Sequence, residues 1–121
     1  MKNLANDIRS SLNFDYIDVF ADGEVIIVKD LTVGSGPYSA ITIRINRSDY
    51  DILIKTIADL DYQLGIRFSK SDCLKSDVDD KLIAKTAKKQ VKDILKEYEE
   101  FKKRITERMK YLDNHLNVIK V

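Results

Sequence analysis

The chain has 121 residues, of which 44% are hydrophobic and 34% charged, a composition that suits one folded domain and excludes a disordered chain. Its 21 basic and 20 acidic residues leave a formal charge of +1, which excludes steering by the whole molecule toward nucleic acid, a membrane surface or an acidic substrate. The single cysteine, Cys73, excludes an internal disulfide; no apolar run approaches a membrane span and no secretory-like leader is present, so a cytoplasmic protein is expected.

Leu4, Ile8 and Leu12 stand four apart and predict a short helix ending near Asn13. Asp22-Gly23 separates two apolar runs, Tyr16 to Ala21 and Val25 to Val28, as a hairpin turn does. The run Val25-Ile26-Ile27-Val28 reads as a central strand covered on both faces. After the breaker Gly34-Ser35-Gly36-Pro37, Ile41, Ile43 and Ile45 alternate with Thr42, Arg44 and Asn46 as the third strand of an antiparallel meander, with one face dry.

Ser48 followed by Asp49 and Asp51 resembles a helix cap. Tyr50, Leu53, Ile54, Ile57, Leu60 and Leu64 then recur at threes and fours, and predict a helix lying over the isoleucine face and stopped at Gly65. Ile66-Arg67-Phe68 reads as a short extra strand and Ser69 to Lys75 as a polar loop. A second capping run, Ser76 to Asp80, opens a helix of roughly 35 residues, about 50 Å long. The fold class expected is therefore α+β: a short N-terminal helix, a three-stranded antiparallel meander, a covering helix and a long C-terminal amphipathic helix. Residues 1–75 form the small α+β domain and 76–121 the helix with coiled-coil character.

Chemistry-bearing sets are sparse. The lone histidine, His115, reads as a surface or capping residue, and Cys73 lies in a polar stretch without a base beside it. Asp77, Asp79 and Asp80 lack the glycine and closing glutamate of a calcium loop and read as a cap. The acidic residues around the first hairpin, from Asp15 to Asp30, lack nuclease spacing, and Gly34-Ser35-Gly36 lacks the lysine of a phosphate cradle. No catalytic, cofactor-binding or metal residues are assigned, and no cofactor is expected.

Two features of the last helix stand out. Ala84, Ala87, Val91, Ile94, Tyr98, Phe101 and Ile105 are spaced by threes and fours, a heptad seam continuing through Met109 and Leu112. Val91, Ile94, Tyr98, Phe101 and Ile105 are the candidate self-association seam, because burying them is expected to demand more surface than a small sheet offers, and a homodimer supplies it. Lys85, Lys88, Lys89, Lys92 and Lys96, with Lys81 before them, gather into a basic stripe that is the candidate polar interface. Residues 76–121 carry 12 basic against 9 acidic residues, but Glu97, Glu99 and Glu100 follow the stripe at once, so it reads first as a solvated face and second as a phosphate ridge.

The order of elements, with Asn6-Asp7-Ile8-Arg9, Asp15-Tyr16 and the strand Ile41-Thr42-Ile43-Arg44-Ile45-Asn46, resembles small phage-encoded anti-CRISPR inhibitors of the type II effector nuclease over the first half of the chain. The resemblance implies an inhibitor of a host defence nuclease. Since this chain is neutral and carries a basic helix, it implies direct protein contact rather than nucleic-acid mimicry. The sequence thus points to a non-enzymatic partner-binding protein, with a nucleic-acid-binding module using the lysine stripe as the alternative.

Overall fold

The computed structural model describes residues 2–30, 40–61 and 65–119, the side chains of Asp61 and of residues 114–119 excepted. Helix α1 (Lys2–Leu12) is followed by strands β1 (Tyr16–Val19), β2 (Glu24–Asp30), β3 (Ala40–Arg47), β4 (Asp51–Asp61) and β5 (Ile66–Lys75), and by helix α2 (Asp80–Ile119). The architecture is α+β: the strands form one antiparallel sheet in the order β1-β2-β3-β4-β5, with both helices on the same face.

α1 ends where its sequence says it should. Asn13 takes φ 60°, and the amides of Asn13 and Phe14 donate back to Ser10 and Arg9 carbonyls, a left-handed cap that turns Phe14 into the core. Asp22-Gly23 makes the β1–β2 turn, where Gly23 sits at φ 86° and the Glu24 amide donates to Asp22 Oδ1. β2 differs from the expectation of a doubly covered strand. Val25 and Ile27 are fully buried while Ile26 and Val28 are half-buried, because the described helices cover one face only.

The larger correction concerns residues 48–75. The expected three-stranded meander is five-stranded, and the expected covering helix from Tyr50 to Leu60 is strand β4. Leu64 lies outside the described residues. Ile52, Ile54, Thr56, Ala58 and Leu60 are buried at every second position, while Leu53 and Ile57 point to the other face. Those two open-face residues create the spurious helical spacing. Ser48 caps no helix: its hydroxyl and amide meet Asp51 in the β3–β4 turn, and Tyr50 stands 87% exposed at its tip. The expected polar loop Ser69 to Lys75 is the second half of β5, paired with β4 from Lys75 opposite Asp51 to Ile66 opposite Asp61. The breaker Gly34-Ser35-Gly36-Pro37 lies outside the described residues.

α2 begins at its expected cap. Asp79 Oδ1 accepts the Leu82 amide at 3.0 Å, and Val78 and Ile83 on either side of the cap both join the core. At 40 residues the helix is about 60 Å long, and only its first half lies on the sheet. Ile83, Ala87 and Ile94 are fully buried there, so the core runs without a break across the 75/76 boundary.

Beneath α2 lies one buried polar cluster. Thr56 Oγ1 donates to Gln90 Oε1 at 2.8 Å, and Gln90 Nε2 donates to the Ile54 carbonyl at 2.9 Å and to Asp72 Oδ2 at 2.8 Å. Gln90 and Thr56 are 2% and 0% exposed, so this cluster sets the rotation and position of α2 over β4 and β5.

Candidate partner-binding surface

The seam residues divide into two groups. Val91 and Ile94 are buried in the chain's own core, so the want of surface that argued for a homodimer through them does not exist. Tyr98 is half-buried and meets the Phe68 ring edge-on at 6.3 Å, and Phe101 meets the same ring at 6.0 Å. Phe101 is the last described side chain of α2 that is not exposed. Ile105 lies beyond it, 36% exposed.

From Lys102 to Asp113 every side chain is exposed. This is unusual for a segment carrying Ile105, Met109, Tyr111 and Leu112, because helices in proteins owe most of their stability to packing along one apolar face. Phe101, Ile105, Met109 and Leu112 follow one another at intervals of four, four and three, which keeps them on one side of the helix. Arg104 and Arg108 run beside them, and with Phe101 and Ile105 they line a shallow crevice of about 520 Å³. Lys102 flanks the start of the stripe, its Nζ 4.6 Å from the Tyr98 ring centroid and 3.1 Å from Glu99. Spacing alone could have found Arg104 and Arg108, since they fall one turn apart next to the seam.

The lysine stripe sits elsewhere. Lys85, Lys89, Lys92 and Lys96 are exposed and Lys88 half-buried, on the side of α2 turned away from Ile83, Ala87 and Ile94. The surface there is the outer side of α2 together with Asp7 of α1. Its crevice, about 520 Å³ and lined by Lys81, Lys85, Lys88 and Lys92 among others, also takes in the carboxylates of Asp7 and Asp93. A second crevice of about 350 Å³ lies between α2 and β5 and again mixes Lys70, Lys85 and Lys89 with Asp72 and Asp93. Mixed charge on both sides weakens the case for a phosphate groove.

The remaining reactive groups are scattered. Cys73 is exposed on the open face of β5, where partial loss of solvation and then the Asp51 carboxylate raise its pKa, which disfavours the thiolate. His115 lies outside the residues whose side chains are described. Lys70 and Glu97 join β5 to α2 at 2.6 Å, and that hydrogen-bonded carboxylate raises the Lys70 pKa. Among the described residues no group of three or more His, Cys, Asp or Glu side chains is placed to hold a metal, and no helix is long and apolar enough to cross a membrane. Comparison of the chain with protein-family models, with curated proteins and with solved structures found no match.

Proposed function

We propose that this protein is a non-enzymatic binding protein that presents the projecting half of α2 to another protein, and that it acts by direct contact. The observation that carries this reading is the stripe Ile105, Met109 and Leu112, continuing from the half-buried Phe101 onto a helical segment whose described side chains are exposed all round. A partner groove that takes such a stripe gives it the packing it lacks, as in other helix-in-groove interfaces. Arg104 and Arg108 favour an acidic rim on that groove. The resemblance to anti-CRISPR inhibitors makes the type II effector nuclease the first partner to test. A homodimer through the same stripe uses too little of the original seam, because Val91 and Ile94 are already covered.

Ile105→Asp is expected to weaken binding to that nuclease by at least about 30-fold, as loss of an interface anchor does. Its stability should fall by no more than about 1 kcal/mol, since Ile105 lies on the exposed half of α2, outside the buried core. Titration calorimetry and circular dichroism on the two proteins measure both. Unchanged binding by Ile105→Asp would refute the helical stripe. The nucleic-acid reading is tested alongside by reversing Lys85, Lys88, Lys89, Lys92 and Lys96 to Glu. The expected result is slower association with an acidic protein partner and no duplex binding to lose. Tight, salt-sensitive binding of DNA or RNA by the parent, abolished in the reversal, would establish the lysine ridge instead.

A further inference from the structure

β5 is the last strand of the sheet, and among the described residues no strand pairs with its outer side. At ten residues it is long for an edge, and it contains no proline. Strand β1, at the opposite edge, has four residues and lies against α1. Long free edges are ordinarily blunted, because their unpaired amides and carbonyls template another strand; here Lys70 and Asp72 discourage an apolar strand and leave open one that brings the opposite charges.

The backbone phase of this edge follows from one bond. The Ser76 amide donates to the Tyr50 carbonyl, and partners in an antiparallel ladder alternate between bonded and non-bonded pairs, so the even-numbered residues of β5 turn their amides and carbonyls toward β4. Arg67, Ser69, Ser71, Cys73 and Lys75 therefore turn theirs outward. Lys70, Asp72, Phe68 and Leu74 stand on the helix-covered face.

We propose that two copies of this chain join through β5, antiparallel and about a two-fold axis at Ser71, so that two sheets of five strands become one of ten. This surface is separate from the projecting helix. In that register Ser71 bonds to Ser71 of the second copy, and Ser69 to the second copy's Cys73. On the helix-covered face Lys70 faces the second copy's Asp72, and Phe68 faces its Leu74, each pairing occurring twice. These are non-bonded pairs of the ladder, where side chains approach most closely and opposite charges contribute most.

The charge pattern selects this partner. Moving the axis by one residue sets Lys70 against Lys70, or Asp72 against Asp72. At Ser71 each keeps its own-chain partner, Glu97 or Gln90, and gains an opposite charge across the ladder, which an apolar strand does not offer. One pairing is unfavourable, Arg67 with the second copy's Lys75. It falls at the exposed ends of the ladder, where Arg67 already holds Asp59 at 2.6 Å and Lys75 stands opposite Asp51.

The test uses the full chain. Light scattering at about 100 μM should give twice the 13.9 kDa chain mass, with the dimer dissociating on dilution. In a Cys73→Ser background, Ser71→Cys should cross-link to itself under mild oxidation, since bonded partners lie about 5.5 Å apart at Cα. Ser69→Cys in the same background should not, its two copies being four residues out of line, about 14 Å apart. Ser71→Pro, whose lost amide faces outward and so costs no bond to β4, should be monomeric with unchanged helix content. A monomer at the higher concentration overturns the proposal. A dimer in which the Ser69→Cys variant cross-links and the Ser71→Cys variant does not overturns the register, and the cross-links decide the matter even where the proline variant fails to fold.

Discussion

Ile94→Asp is expected to unfold the chain rather than release a folded monomer. Ile94 is fully buried between α2 and the sheet, so the substitution removes an aliphatic side chain from the core and leaves a carboxylate in its place. Loss of the isoleucine alone costs about 2–5 kcal/mol, and an unpaired buried charge adds several more. The total reaches the whole stability of an ordinary domain, about 5–15 kcal/mol. Far-ultraviolet circular dichroism and urea denaturation should show loss of the cooperative transition. Ile105→Asp, about three helical turns further along the same seam, should leave that transition in place. A folded Ile94→Asp protein with an unchanged urea midpoint would mean that α2 does not seat on this sheet.

The second large effect belongs to the buried polar cluster. Gln90→Ala opens a cavity and strands the Thr56 hydroxyl, which is 0% exposed and donates to Gln90 Oε1. A destabilisation of about 3 kcal/mol is expected from the two terms together. Removing both polar partners in Thr56→Val with Gln90→Leu should recover about 1–2 kcal/mol of that loss, because no donor is then left unpaired; the Asp72 carboxylate, being exposed, turns to water. Urea denaturation of Thr56→Val, Gln90→Leu and the double variant measures the coupling between the two side chains. Simple additivity would show that the hydrogen bond from Thr56 to Gln90 contributes nothing beyond packing.

Local pattern carries some elements of this fold and fails at others. Leu4, Ile8 and Leu12 located α1, Asp22-Gly23 located the hairpin, and Ile41, Ile43 and Ile45 located β3, because each signal lies within a few residues of the structure it produces. The cap at Asp79 was equally local. β4 was misread for a physical reason. Leu53 and Ile57 are apolar residues on the open face, and added to Ile54 and Leu60 they imitate a helical stripe, although Ile52, Ile54, Thr56, Ala58 and Leu60 keep the period of two. β5 was missed beyond Phe68 because Lys70 and Asp72 occupy positions on the covered face that usually read as apolar. Their partners, Glu97 and Gln90, lie 27 and 18 residues further along the chain.

The candidate surface divides along the same line. Helical spacing placed Val91, Ile94, Tyr98, Phe101 and Ile105 on one side of α2 and the lysines on the other, and that much follows from 3.6 residues per turn. Spacing is silent on what lies opposite a stripe. Only the tertiary structure decided that Val91 and Ile94 join the core and that burial along α2 ends at Phe101, leaving Ile105 and the described residues beyond it exposed. That outcome depends on β4 and β5 reaching under α2, a pairing between segments far apart in the chain, and so it is written in contacts that no local period encodes.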